Sequence, residues 1–282
     1  MATSGGDHLA AEVSATEVLR LLDQARADLA EARDLLAVSE QRAAESRELA
    51  LRLERAIMPS RVSLVAAAAA AGVDVSARCC PAKRDDLVAG DWYDAFQLPG
   101  GDSLFVVGDI AGHGVEAVAG MVAVRNALRG LAVTGAEPGE LIGKLNYVAC
   151  LLGEGMTGTV ICGRYARRSG VLRWARAGHL PPVLVRGGTS TIQPMPEGML
   201  LGVELDAEYG QFSLPLRSGD TLLFYTDGLI ERRAACISDG LAEFAAAAAP
   251  AAPDLDTHVT RILASAASDT GDDACLLAVR VR

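Results

Sequence analysis

AGDWYDAFQLPGGDSLFVVGDIAGHG, Ala89–Gly114, holds two short β-like runs, Trp92–Gln97 and Ser103–Asp109, on either side of the pair Gly100–Gly101. Adjacent glycines between two such runs predict a hairpin, so the two strands are antiparallel. Each strand carries an acid near its outer end. Asp91 sits just ahead of the first run, and Asp109 closes the second before a Gly-rich turn.

Downstream, helical texture covers Gly114–Leu131, apolar on one face, and Pro138–Leu152. Strand-like runs come next at Gly158–Tyr165, Val171–Ala177, Pro182–Arg186, Gln211–Leu216 and Asp220–Tyr225. Ala-rich helical stretches around Gly240–Ala249 and Leu255–Ala267 precede a last strand at Ala274–Val281. Upstream, Val73–Cys80 is a further strand, and a short Ala-rich helix ahead of it closes at Gly72. Strands, then helices, then strands predict an α+β fold with a mostly antiparallel sheet rather than repeated βαβ units.

From about Glu17 to Ile57 the chain has no Gly or Pro and is rich in Ala, Leu, Glu and Arg, which predicts one long helix ended by Pro59. Leu22, Ala25, Leu29, Ala32, Leu36, Ser39, Ala43, Ser46, Ala50, Leu53 and Ile57 alternate spacings of three and four, the seam of a coiled coil. Ser and Ala weaken its middle. A homodimer through residues 22–57, a seat for an activator, and a lone helix lying on its own domain all fit this seam. The chain accordingly divides into a helical segment, 1–58, and a domain, 59–282.

The net charge of −10 leaves no basic stripe for nucleic acid or anionic lipid, and neither is expected as a partner. The longest apolar run, Leu64–Val73, is about half of the ~20 residues that a membrane span needs. The first residues show no basic segment followed by an apolar one, so no secretion signal is visible. The six cysteines include no C-x-x-C and mostly lie in apolar runs. The expectation is a cytoplasmic protein with reduced cysteines acting as small hydrophobes.

Four segments carry acids at strand ends or turns: AGDWYDAF (Ala89–Phe96), VVGDIAGHG (Val106–Gly114), FYTDGLIE (Phe224–Glu231) and TGDDACLLAV (Thr270–Val279). An acid at the end of a buried strand is partly desolvated, which is costly without a positive partner. No Lys or Arg adjoins these acids in sequence, so a bound cation is an economical partner. Oxygen donors without a His/Cys cluster suit Mg²⁺ or Mn²⁺ rather than zinc. Two such ions can activate a water and clamp a phosphoryl group without a protein nucleophile.

AGDWYDAF, GDIAGHG, AGHLPP (Ala177–Pro182), YTDGLIE and the closing GDD, in this order, resemble the SpoIIE-like branch of the PPM serine/threonine phosphatases. LERAIMPS (Leu53–Ser60) is similar to the helix end ahead of that domain, so the likeness runs from about Leu53 onward. The resemblance implies a four-layer α-β-β-α sandwich of two antiparallel sheets flanked by helices, here preceded by the long helix. It implies a site for two divalent cations, Mn²⁺ or Mg²⁺, with Asp91, Asp109, the backbone carbonyl of Ile110, Asp227 and Asp272 as ligands. Asp273 takes the place of a polar residue just behind them. The implied activity is hydrolysis of phosphoserine or phosphothreonine on a protein, often an anti-anti-sigma factor. One departure stands out: Ala89 occupies a position where a second Gly is usual.

Two readings stand for His113: fixing the turn into the next helix, or donating a proton to the leaving serine oxygen. His179, between a strand and two prolines, is read as a turn-fixing residue. Asp94 falls off the period-two face of Asp91 and is assigned a structural role. Lys83 and Arg84 read as part of a solvated loop. Two rival functions are a nucleotide cyclase, for which AGDWY matches but the next residues do not, and a binding module that kept the fold without turnover.

Overall fold

The computed structural model describes residues 15–80, 90–112, 114–152, 156–232, 236–265 and 273–282. Two compact units emerge, one up to Leu49 and one from Ala50 to Arg282. The first is most of helix α1, Ala15–Ile57, unbroken as its lack of Gly and Pro demands. On it the seam leucines Leu22, Leu29 and Leu36 are exposed.

In the second unit, the Ser60 hydroxyl accepts a hydrogen bond from the Ser63 N–H and caps helix α2, Arg61–Ala71. Gly72, at φ 70°, ends it in the left-handed conformation that glycine adopts without cost. The chain continues through β1 (Val73–Cys80), β2 (Asp91–Gln97), β3 (Ser103–Ile110), α3 (Gly114–Ala132), α4 (Pro138–Leu151), β4 (Gly158–Ala166), β5 (Val171–Ala177), β6 (Val183–Arg186), β7 (Thr189–Ile192), β8 (Gln211–Pro215), β9 (Thr221–Tyr225), α5 (Ile237–Ala248), α6 (Leu255–Ser265) and β10 (Ala274–Val281). One sheet has the order β1-β10-β9-β6-β7, the other β2-β3-β4-β5-β8, and all their strand pairs are antiparallel. The fold is the expected α+β sandwich. Sequence reading missed β7, whose residues, Thr-Ser-Thr-Ile, lack an apolar alternation because it is a mostly exposed edge strand.

Three apolar layers hold the sandwich together. Phe105, Ile161, Trp174, Phe224 and Leu277 fill the space between the sheets, and Leu64, Ala67, Ala68 and Ala71 of α2 join them. With α2 against both β1 and β2, this helix covers the edge where the two sheets would otherwise gape. Helices α3 and α4 cover the second sheet through Met121, Val124, Leu128, Leu141 and Leu145. On the first sheet, Phe244, Val259 and Ile262 of α5 and α6 do the same.

Two contacts fix β2 within the sandwich. Trp92 is fully buried opposite Gly108 of β3, and a β-carbon there would lie 2.6 Å from the indole, so only glycine fits. Asp94, also fully buried, lies on the same face of β2 as Trp92, toward α3, where Arg129 donates two 2.6 Å hydrogen bonds and Arg125 approaches to 2.9 Å. This ion cluster fastens α3 to β2, the structural role expected for Asp94.

The cysteine reading needs one correction. Cys79 and Cys275 face each other in the β1/β10 register and form a disulfide, whereas Cys80, Cys150, Cys162 and Cys236 are free. Their separation of 196 residues hides the pairing from any local reading. Among the described residues no helix is long and apolar enough to cross a membrane.

Candidate active site

The hairpin sets Asp91 directly opposite Asp109, at the end of the second sheet. Beyond them the Ile110 N–H donates to the Gly90 carbonyl at 3.2 Å. A β-carbon on Gly90 would lie 2.1 Å from the Ile110 carbonyl oxygen and 3.1 Å from an Asp109 carboxylate oxygen. Glycine at 90 therefore leaves room that any other residue would fill.

The other sheet brings its acids to the same end. Strand β9 runs out at Tyr225, Thr226 continues extended, and Asp227 opens a short 3₁₀ turn, Asp227–Leu229. The Asp227 carbonyl accepts from the Ile230 and Glu231 N–H groups and closes that turn. Asp273 stands just ahead of β10, backed against Gly228.

Asp91 registers this convergence. Burial raises its pKa well above the ordinary carboxylate range, and the charge of Asp109 raises it further. Asp227 and Asp273 push in the same direction; only the hydrogen bond from Thr226 opposes them. Four acids from four separate segments thus share one electrostatic environment, divided between the two sheets. Asp272 and His113 lie outside the described residues, as do Lys83 and Arg84. Among the described residues, no three His, Cys, Asp or Glu side chains are close enough to hold an ion by themselves.

Two further residues bind this end together, and sequence reading gave neither its role. Thr226 donates to the Asp91 carboxylate at 2.6 Å while its oxygen accepts from the Cys275 N–H at 2.8 Å. His179, read as a turn-fixing residue, is buried between the sheets. Its Nε2 lies 3.0 Å from the Tyr225 carbonyl and its Nδ1 2.7 Å from the Thr159 hydroxyl. A carbonyl only accepts, so Nε2 carries the proton and Nδ1 accepts from Thr159. Burial pushes its pKa down to about 3, and the imidazole is neutral at physiological pH. Its backbone carbonyl accepts from Arg176 at 2.6 Å. The available signals were a Thr next to Asp227 at the end of the apolar run Leu222–Tyr225 and a His between a strand and two prolines.

Chemically, this is a set of mutually repelling oxygen donors, joined among the described residues by neither thiolate nor imidazole facing the acids. Such a set fits hard divalent cations.

Comparison with known proteins agrees with this picture. The family model described as Stage II sporulation protein E (SpoIIE) matches residues 99–282. The match begins downstream of AGDWYDAF and includes Asp109, Asp227, Asp272 and Asp273. The chain is 28% identical over 163 residues to the phosphoserine phosphatase RsbU of Bacillus subtilis (strain 168), covering 57% of this chain and 48% of that protein. It thus spans about half the length of that relative. The solved RsbU and RsbW domains of Rv1364c from Mycobacterium tuberculosis share 33% identity at a TM-score of 0.68, covering 75% of this chain and 60% of that one. The SiaA-PP2C domain of Pseudomonas aeruginosa has a TM-score of 0.73 at 22% identity, covering 87% of this chain and 99% of that one, a likeness of fold. With the family model spanning well over half of its residues and the same two-sheet sandwich in its neighbours, the chain belongs to the SpoIIE-like branch of the PPM, or PP2C-type, phosphatase family.

Proposed function

We propose that this protein is a metal-dependent serine/threonine phosphatase that hydrolyses phosphoserine or phosphothreonine on a partner protein. The observation that carries the reading is the convergence of Asp109, Asp227 and Asp273 on buried Asp91, with no cation among the groups that shift it most. Asp91, Asp109, the Ile110 carbonyl, Asp227 and Asp272 would hold two divalent cations, Mn²⁺ or Mg²⁺, with Asp273 close behind. When bound, such ions supply an activated water and neutralise charge on a phosphoryl group.

The chain's own contribution is positional. Gly90 and Gly228 let backbone pass close to the acids, and Thr226 orients the Asp91 carboxylate. His113, next before Gly114 in the sequence, is the residue proposed to reach the leaving serine oxygen. Likeness to RsbU, named a phosphoserine phosphatase, favours a phosphoprotein substrate of the anti-anti-sigma kind in a cytoplasmic partner-switching pathway. Residues 1–58 would be the input, through a homodimer along 22–57 or an activator seated on that helix. The exposed Leu22, Leu29 and Leu36 support this reading.

The test is hydrolysis of an aryl phosphate and of a serine-phosphorylated anti-anti-sigma protein, with and without Mn²⁺ or Mg²⁺. Metal-dependent turnover abolished by Asp227→Asn is expected. A folded chain that binds the phosphoprotein without hydrolysing it would make this a binding module. Deletion of residues 1–55 that changes neither oligomeric state nor rate would dismiss the input role.

A further inference from the structure

The acids of the site are shared between two sheets that no strand pairing joins among the described residues. Asp91 and Asp109 belong to β2 and β3; Asp227 and Asp273 flank β9 and β10 of the other sheet. Apolar packing between sheets is non-directional and sets their spacing only loosely. Placing oxygen donors around a small hard ion requires tighter control, because Mg²⁺ demands a near-ideal geometry. Something at this end must fix one sheet against the other.

The directional bonds found there are those of Thr226 and His179. The hydroxyl of Thr226 is fully buried and both its bonds are determined. Its oxygen accepts from the Cys275 N–H of β10, which leaves its hydrogen for Asp91 on the opposite sheet, at 2.6 Å. The backbone N–H of Thr226 donates to the Cys275 carbonyl at 3.0 Å and completes the hold on β10. His179 makes the second crossing. Its Nε2–H donates to the Tyr225 carbonyl on β9, and its Nδ1 accepts from Thr159 on β4. Thr159 is the β4 residue paired with Asp109. Tyr225 immediately precedes Thr226. One crossing thus ends on Asp91 itself and the other beside Asp109, and both start from adjacent residues at the end of β9.

We propose that Thr226 and His179 are positioning residues forming an inter-sheet clasp, which fixes Asp91 and Asp109 relative to Asp227 and Asp273 and thereby sets the affinity of the site for divalent cations. The clasp presupposes the metal reading given under Proposed function and goes beyond it by assigning these two residues. Both are buried, and their hydrogen bonds run to protein groups. Hydrogen-bond partners of metal ligands commonly govern affinity by about 10–100-fold.

The experiment titrates the full-length chain with Mn²⁺ alone, without substrate, reading free ion by electron paramagnetic resonance. Thermal unfolding in EDTA is monitored in parallel. Thr226→Val keeps the shape and removes the hydroxyl; Thr226→Ser restores it. Thr226→Val is expected to bind Mn²⁺ at least about 10-fold more weakly than wild type, and Thr226→Ser within about threefold of it. His179→Gln can still donate to Tyr225 but offers Thr159 no well-placed acceptor, and is expected to bind several-fold more weakly. Wild-type affinity in Thr226→Val, or equal losses in the Val and Ser variants, overturns the clasp. Should Thr226→Val fail to fold, the Ser and Gln variants decide: wild-type affinity in Gln, or loss in Ser, overturns it. A weakening that tracks the drop in melting temperature across all variants also overturns it, since that is a purely structural role. Absence of Mn²⁺ binding by the wild type sinks the metal reading and the clasp together, whereas normal wild-type binding with an indifferent Thr226→Val sinks the clasp alone.

Discussion

Gly228 lies flat against the backbone carbonyl of Asp273, so close that a β-carbon at 228 would stand 1.9 Å from the oxygen. The obstacle is backbone, not a flexible side-chain tip, and it belongs to one of the four converging acids. Gly228→Ala must therefore move either the Asp227 turn or the start of β10. Overpacking of this kind costs about 1–3 kcal/mol of stability. The functional loss should be larger than that figure suggests, with Mn²⁺ binding weakened by at least about 10-fold. Urea unfolding and metal titration of the same sample check both; an alanine variant with wild-type metal affinity would show that the contact is incidental.

Asp94 offers a prediction about the scaffold. Its carboxylate is fully buried, and Arg125 beside it is almost as deep. Burial lowers the pKa of Arg125, and the charge of Asp94 offsets that penalty. Asp94→Asn would leave the guanidinium without its anion, at a cost of about 3–5 kcal/mol. Arg129, whose side chain is 37% exposed, can turn to water, so Arg129→Ala should cost distinctly less. Denaturant midpoints of the two variants give the comparison.

The raised pKa of Asp91 makes a statement about the metal-free protein. A carboxyl whose folded pKa exceeds its unfolded value holds a proton that the unfolded chain releases. Its contribution is therefore neutral below the unfolded value, turns unfavourable as pH climbs toward the folded one, and stays so above it. In EDTA at neutral pH, Asp91→Asn should be at least as stable as wild type. A relief of about 1 kcal/mol would raise the melting temperature by roughly 2–4 °C. Added Mn²⁺ should then stabilise the wild type and leave the variant unmoved. A variant that melts lower in EDTA would refute the reading of Asp91 as a frustrated acid.

The Cys79–Cys275 disulfide closes a long loop, its ends 196 positions apart in sequence. Cross-links of that reach restrict the unfolded chain strongly, with measured effects of about 2–5 kcal/mol. Reduction with a phosphine, or Cys79→Ser, should lower the unfolding midpoint accordingly. Alkylation and then intact mass measurement should find four reactive thiols in the denatured, unreduced protein. Six would mean that the bond is not formed in solution.

Much of this fold was legible because its signals are local. The Gly100–Gly101 turn, the Gly72 stop and the Gly- and Pro-free helix each depend on neighbours in sequence, and each element appeared within a few residues of its expected place. Strand β7 was not legible, since an exposed edge strand of Thr and Ser carries no burial pattern. The acids Asp91, Asp109 and Asp227 could be singled out because apolar strands lead up to or away from them. What they share could not, because it depends on β9 and β10 lying across from β2 and β3. The roles of Thr226 and His179 were hidden for the same reason: every partner that defines them lies on a strand remote in sequence.

Strand β10 leaves the ribosome after every other described element, yet it occupies an interior place in its sheet, between β1 and β9. Its partner β1 is made about two hundred residues earlier, Val73 pairing with Val281. Until that strand emerges, β1 and β9 each lack the neighbour that joins them, and non-local pairings of this kind close slowly. The nascent domain consequently cannot assemble its acid cluster piecemeal during translation. Chains cut short before Ala274 should be recovered as aggregates or degradation products, not as a folded domain that binds Mn²⁺ weakly.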